Sequence, residues 1–128
     1  MPNANYVSGR AAEYAALRDL KRLGFSCIRA AASKGVYDIV GTRADLVVFI
    51  QCKRGLRPPS PAEYQSMVEM SVPDNALKIV LYYPDGVGAV RSTAARVLYH
   101  NLPLPDWCGY LRWLDGSPPV QPRLQLRS

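Results

Sequence analysis

The stretch Val36-Tyr37-Asp38-Ile39-Val40-Gly41-Thr42-Arg43-Ala44-Asp45-Leu46-Val47-Val48-Phe49-Ile50-Gln51-Cys52-Lys53 decides how this chain folds. Two apolar runs, at 36–41 and 45–53, flank a short connection at 41–45. That pattern predicts two antiparallel strands joined as a hairpin. The second run ends in Gln51-Cys52-Lys53. Strand side chains alternate faces, so Gln51 and Lys53 point one way and Cys52 the other. Burying an amide and a lysine together costs free energy unless both find partners, and a metal, a carboxylate and a phosphate are natural ones. A strand that simply surfaces at its end explains the same three residues. Asp38 bears on the choice. Aspartate is depleted in strands, and one flanked by apolar residues needs a reason. A bulge or an edge position is one reason, and metal ligation is another.

Upstream, a helix is predicted over 8–24, after a loose arm at 1–7 and ending at the C-cap residue Gly24. Counting from Glu13, Leu17 falls at i+4 and Leu20 at i+7, so all three share a face. Arg18, Asp19, Lys21 and Arg22 fall on other faces. Glu13 is therefore a carboxylate on the apolar side of a well-sorted helix. It either snorkels at the edge of the core or completes a cluster with Asp38. A strand at 25–31 follows, then the polar turn Ala32-Ser33-Lys34-Gly35, which places Ser33 and Lys34 near Asp38.

Downstream, a basic, proline-bearing loop at 54–59 leads to Ser60-Pro61-Ala62-Glu63. This reads as a helix start with an N-cap serine, proline at N1 and glutamate at N3. The helix should run to about residue 71. It carries Gln65, either a solvated residue or a group near the end of the preceding strand. A strand buried on both faces is expected at 77–83, then a turn at Pro84-Asp85-Gly86 and a short strand at 87–91. Helix, three strands, helix and strand make an α/β layer with a mixed central β-sheet flanked by helices. Residues 101–128 hold Pro103, Pro105, Pro118, Pro119 and Pro122, which discourages regular structure over much of that tail. Within it, Trp107, Tyr110 and Trp113 recur every three residues. They make either a packing patch, on the core or across a dimer, or a stacking surface for unpaired bases.

A chain of 128 residues is one domain with a real core. We divide it into a core at 1–100 and an extension at 101–128 packed on the same domain. Sixteen Lys and Arg against 10 Asp and Glu give a formal charge of +6, which suits a polyanionic partner, nucleic acid above all. The basic residues include Arg10, Arg29, Lys34, Arg54 and Arg57. Cys27, Cys52 and Cys108 offer no paired spacing for zinc, and unpaired thiols suit a reducing cytoplasm. No leader is evident, and no apolar run approaches the ~18 residues of a membrane span.

Ser8-Gly9-Arg10-Ala11-Ala12-Glu13, Leu23-Gly24-Phe25, Arg29, Ser33-Lys34-Gly35-Val36-Tyr37-Asp38-Ile39 and Gln51-Cys52-Lys53 follow one another as in a known family. In this order and spacing the chain resembles the archaeal-type Holliday-junction resolvases of the PD-(D/E)XK nuclease superfamily. The resemblance spans roughly residues 6–55, with weaker agreement to about residue 91. It implies a restriction-endonuclease-like nuclease core and a homodimer that cuts four-way DNA junctions in pairs. It also implies Mg²⁺, with Mn²⁺ able to substitute, and no small-molecule cofactor. Carried over by position, Glu13, Asp38 and Gln51 match the metal-binding residues, Lys53 the catalytic lysine, and Ser33 a serine of the same region. The chain departs from the family in having Gln51 where glutamate is usual, and Tyr14 where a basic residue follows the helix glutamate. An amide offers a hard cation one neutral oxygen, so the site loses a negative charge. Arg10, one turn before Glu13, is the candidate to replace the missing base. Two alternatives stay open: another repair or restriction-type nuclease of the superfamily, or a DNA-binding protein that keeps the fold without catalysis.

Overall fold

The structure is a computed structural model describing residues 4–30, 36–84, 90, 92–100 and 106–116. Its elements in chain order are helix α1 (Ala4–Arg22), strands β1 (Ser26–Arg29), β2 (Ile39–Arg43) and β3 (Leu46–Arg54), a 3₁₀ turn (Pro61–Tyr64) running into helix α2 (Gln65–Glu69), strand β4 (Ala76–Tyr83), a 3₁₀ turn (Ser92–Ala94), strand β5 (Arg96–His100) and helix α3 (Trp107–Gly116). The strands form one sheet in the order β1-β2-β3-β4-β5. All neighbours are antiparallel except β3 and β4, which run parallel with Gln51 beside Val80 and Lys53 beside Tyr82. The chain is α/β with a mixed five-stranded sheet. Among the described residues no helix is long and apolar enough to cross a membrane.

Alternation fixes which face is core. Ile39, Val48, Ile50, Leu77, Ile79, Leu81, Tyr83 and Val97 pack on one side against Ala12, Ala16, Leu17 and Leu20 of α1 and Trp107, Tyr110 and Leu114 of α3. Small residues on α1 let the helix lie close to the strands. Gly41 serves the same approach: a Cβ there would stand 3.1 Å from the Cys27 sulfur and 3.6 Å from Leu20. On the opposite face α2 covers β4, where Lys78 is nearly buried. Its ammonium donates to the carbonyls of Val68 (2.7 Å) and Met70 (2.8 Å), satisfying acceptors that the end of α2 leaves open. Burial pulls the Lys78 pKa down. Every residue of β4 is buried, Lys78 included, as expected for a strand covered on both faces.

The hairpin is tighter than expected. Gly41, Thr42 and Arg43 belong to β2, and the turn is Ala44-Asp45 alone, with Ala44 in the left-handed region at φ 54°. Helix α1 begins at Ala4, inside the segment expected to be a loose arm, and Gly24 follows its end at φ 91°. Ser60 has extended dihedrals, as a cap should, but its side chain makes no capping bond. The following turn is 3₁₀, and α2 stops at Glu69. Most of 87–91 lies outside the described residues, as does the turn at 85–86. Val90 is not in a strand, and the last strand forms instead at Arg96–His100.

The largest correction concerns the proline-rich tail. The prolines of 101–128 flank a proline-free decade that forms α3. Asp106 caps it: its carboxylate accepts the Gly109 amide at 2.9 Å, and its carbonyl accepts the Tyr110 amide. Trp107, Tyr110 and Leu114 are i, i+3 and i+7 on the buried face, so the aromatic spacing is helical and the aromatics are packing residues. The Trp107 indole donates to the buried carboxylate of Asp19 on α1 at 2.9 Å, and Arg22 bonds the other oxygen. Arg43, in β2, donates to the carbonyls of Leu23 and Leu114 and lies 4.7 Å above the Phe25 ring. One guanidinium thus ties the hairpin to the ends of both long helices.

Candidate active site

At the end of the sheet opposite the Ala44 turn, β2 begins, β3 ends and the first half of α1 passes by. Asp38 sits immediately before β2. Its amide donates to Ile50 (2.8 Å) and its carbonyl accepts from Ala30 (2.7 Å), so the backbone is held between β1 and β3. The side chain turns to β3, where Oδ2 accepts the Cys52 amide at 2.8 Å. That bond takes up a backbone donor of β3 and fixes the carboxylate beside Gln51 and Lys53.

Gln51 is oriented without ambiguity. Its Nε2 donates to the Val36 carbonyl at 2.8 Å, and only the nitrogen can donate there. The other end, Oε1, is buried with no hydrogen-bond partner. Buried polar atoms are nearly always satisfied, and an orphan of this kind costs about 1–3 kcal/mol. A buried acceptor left open asks for a cation or a donor.

Glu13 reaches the same place from α1, and Arg29 donates to its Oε1 at 2.8 Å. The Arg29 guanidinium also lies 5.3 Å from the ring centre of the half-exposed Tyr14. Arg29, grouped above with the DNA-contacting cations, therefore also serves as the counter-ion of Glu13. The strand pattern carries a signal for this. Cys27 and Arg29 share the face of β1 that meets α1, so a cation at the end of that face points toward the helix glutamate.

The electrostatics bind these residues into one cluster. Burial pushes the Asp38 carboxyl above the ordinary aspartate range; the negative charge of Glu13 adds to this, while the Cys52 amide, Lys53 and Arg29 oppose it. Burial pushes the Cys52 thiol well up, and the charges of Asp38 and Glu13 push the same way. Cys52 is thus held as a thiol and is no thiolate nucleophile. Among the described residues no group of three His, Cys, Asp or Glu is placed to hold a metal. Asp38 and Glu13 interact electrostatically, and carboxylates and an amide oxygen are the donor types that hard divalent cations take. The open Oε1 and the buried charge of Asp38 would both be served by such a cation.

Ser33 and Lys34 lie outside the described residues. Arg10 is half-buried on α1, three residues before Glu13. Lys53, Arg54 and Arg57 line a cleft of about 410 Å³ with Ser60, Glu63 and Tyr82. Gln65 is exposed and bonds Glu69 at 2.9 Å, as a solvated helix residue does. No protein-family model matches the chain, and no curated protein matches it.

Proposed function

We propose that this chain is a metal-dependent endonuclease that hydrolyses phosphodiesters of branched DNA, resolving four-way junctions by paired cuts. The observation that carries the proposal is the buried, unpartnered Oε1 of Gln51 beside the half-buried Asp38. Asp38, Glu13 and Gln51 would hold the cation, Mg²⁺ or Mn²⁺, and Lys53 stands next to them on the same face of β3. When bound, such a cation lowers the pKa of an attacking water and offsets charge on the phosphoryl group and the leaving oxygen. The chain's own groups do the rest. The Cys52 amide keeps Asp38 aimed, and Val36 keeps the Gln51 oxygen aimed. Arg29 holds Glu13 at the edge of the core. Lys53 donates a hydrogen bond to the water or to the phosphoryl oxygen that gains charge. Ser33 contacts the same phosphate, and Arg10, Lys34, Arg54 and Arg57 neutralise flanking ones. With Cys52 held neutral, no covalent enzyme intermediate is called for.

A homodimer belongs to this reading. Two symmetric cuts need two sites at fixed separation, and a two-fold axis supplies them. Light scattering should give twice 14.2 kDa. The Arg29–Glu13 ion pair favours a second reading, DNA binding without catalysis, because a built-in cation already serves one of the two carboxylates. One assay separates these: purified chain, Mg²⁺, and a four-way junction beside a linear duplex of the same sequence. Paired cuts in the junction alone support the proposal. Cuts in both point to a general nuclease. Binding without cuts removes catalysis.

A further inference from the structure

The cleft beyond Lys53 has a purpose that the cluster at Asp38 does not explain. Its floor is the end of β3, its far wall is the loop 55–60, and the turn at Pro61–Tyr64 closes it. The loop is fixed at both ends. Tyr82, buried on β4, donates its hydroxyl hydrogen to the Gly55 carbonyl at 2.8 Å, and the Gly55 amide continues the ladder to Tyr83 at 3.2 Å. At the other end the Glu63 amide donates to the Ser60 carbonyl at 2.9 Å. Pro58 and Pro59 stiffen the span between by fixing φ. A concavity built in this way exists before any ligand arrives, so little ordering cost falls on binding.

Its charge is one-sided. Among the described residues that line it, Lys53, Arg54 and Arg57 face a single carboxylate, Glu63. Arg57 is exposed, at the mouth. At about 410 Å³ the space is at the small end of what ligand pockets offer, near the size of one nucleotide. The cluster at Asp38 is acidic and takes a cation, whereas the cleft is cationic and takes an anion. Lys53 belongs to both.

We propose that the cleft is a phosphate subsite of the nuclease site, holding the phosphate next to the scissile one on the cut strand, with Arg57 and Arg54 as its ligands and Lys53 bridging the two phosphates. It rests on the nuclease reading for the identity of the strand and gives the site a direction: the strand enters over Asp38 and leaves over Arg57. Arg57 raises affinity in ground and transition states alike, so it governs KM and leaves kcat nearly unchanged.

The test begins with binding, in EDTA, of a labelled four-way junction to the full chain over a range of KCl concentrations. Arg57→Gln should weaken binding about tenfold and lower the slope of log K against log salt by about one, the signature of one lost phosphate contact. Glu63→Gln should tighten binding. Single methylphosphonate linkages are then walked along the cut strand. In the parent protein the neutral linkage beside the scissile one should weaken binding, and in Arg57→Gln it should cost less, because only Arg54 and Lys53 remain to feel it. An unchanged salt slope in Arg57→Gln overturns the subsite. So does a methylphosphonate penalty that persists undiminished in that variant at every position, or a parent that binds no DNA at all. A parent that binds DNA with the expected Arg57 dependence but never cuts it sinks the nuclease reading and leaves the cationic cleft standing as a DNA contact.

Discussion

Replacing Gln51 by glutamate asks directly whether this residue faces a cation. Glutamate has nearly the same shape but no N–H. The Val36 carbonyl therefore loses the donor that reaches it at 2.8 Å, at about 1 kcal/mol for the bond. A third carboxylate also joins Asp38 and Glu13, and Asp38 already sits above its ordinary range partly because of Glu13. Taking that repulsion as of similar size, Gln51→Glu should destabilise the metal-free protein by about 2 kcal/mol. For a domain of this size that lowers the melting temperature by roughly 6–12 °C. Magnesium should reverse the loss, since a ligand present at about a hundred times its Kd stabilises by about 2.7 kcal/mol. The assay is thermal unfolding of both proteins in EDTA and in millimolar Mg²⁺, followed by a metal titration of cleavage. The variant should start lower, gain more from the metal, and reach half-maximal rate at less Mg²⁺. If it is as stable as the parent in EDTA and gains no more from Mg²⁺, then Gln51 does not face the cation.

Asp38→Asn and Lys53→Ala should each slow cleavage by about 10²–10³ or more while junction binding persists, because turnover depends on a few groups and binding on many phosphates; near-parental rates from either would remove them from the chemistry. The raised pKa of Asp38 fixes a sign: its contribution to metal-free stability is fully present below the unfolded value, near 3.8, and is lost as pH rises through the folded value. Asp38→Asn should therefore gain on the parent in urea midpoint as pH climbs from 4 to 7, and a pH-independent difference would refute the burial cost. Trp107→Phe keeps an aromatic in the core but strips the buried Asp19 of its indole donor, so unfolding free energy should fall by about 2–3 kcal/mol with kcat unchanged. Ala44→Gly relieves the left-handed turn and should stabilise by about 0.5–1 kcal/mol in the same measurement.

Where one period dominates, the sequence was easy to read. The hairpin followed from alternation and a short connection, and β4 from an apolar run too short for a helix. Glu13 was put on the apolar face of its helix by its i+4 and i+7 leucines, whereas the grouping of Asp38 with Gln51 came from the resemblance and not from any strand register. The misses share a cause. Counting prolines over 101–128 averaged across a boundary, and it hid a capped, proline-free decade whose aromatics were already at helical spacing. Strand β5 carries polar residues at both ends and lacks turn punctuation of the expected kind. The Arg29–Glu13 pair joins residues sixteen apart, and only the way β1 meets α1 brings them together. The orphan oxygen of Gln51 depends on a backbone carbonyl, Val36, and no side-chain pattern reports where a carbonyl points.

The Arg43 clamp has a consequence for synthesis. Its two acceptors, Leu23 and Leu114, lie on either side of the hairpin in sequence, so the hairpin cannot be fully locked until α3 exists. Trp107 is made about 50 residues after Lys53, roughly 3–10 s later at ordinary elongation rates. During that interval β1, β2 and β3 can pair, but the part of the core face that α3 covers stays open to solvent or to another nascent chain. The residues proposed for catalysis are thus translated early and secured late. The yield of soluble protein should depend less on the strands that carry the chemistry than on how quickly α3 docks its tryptophan against Asp19.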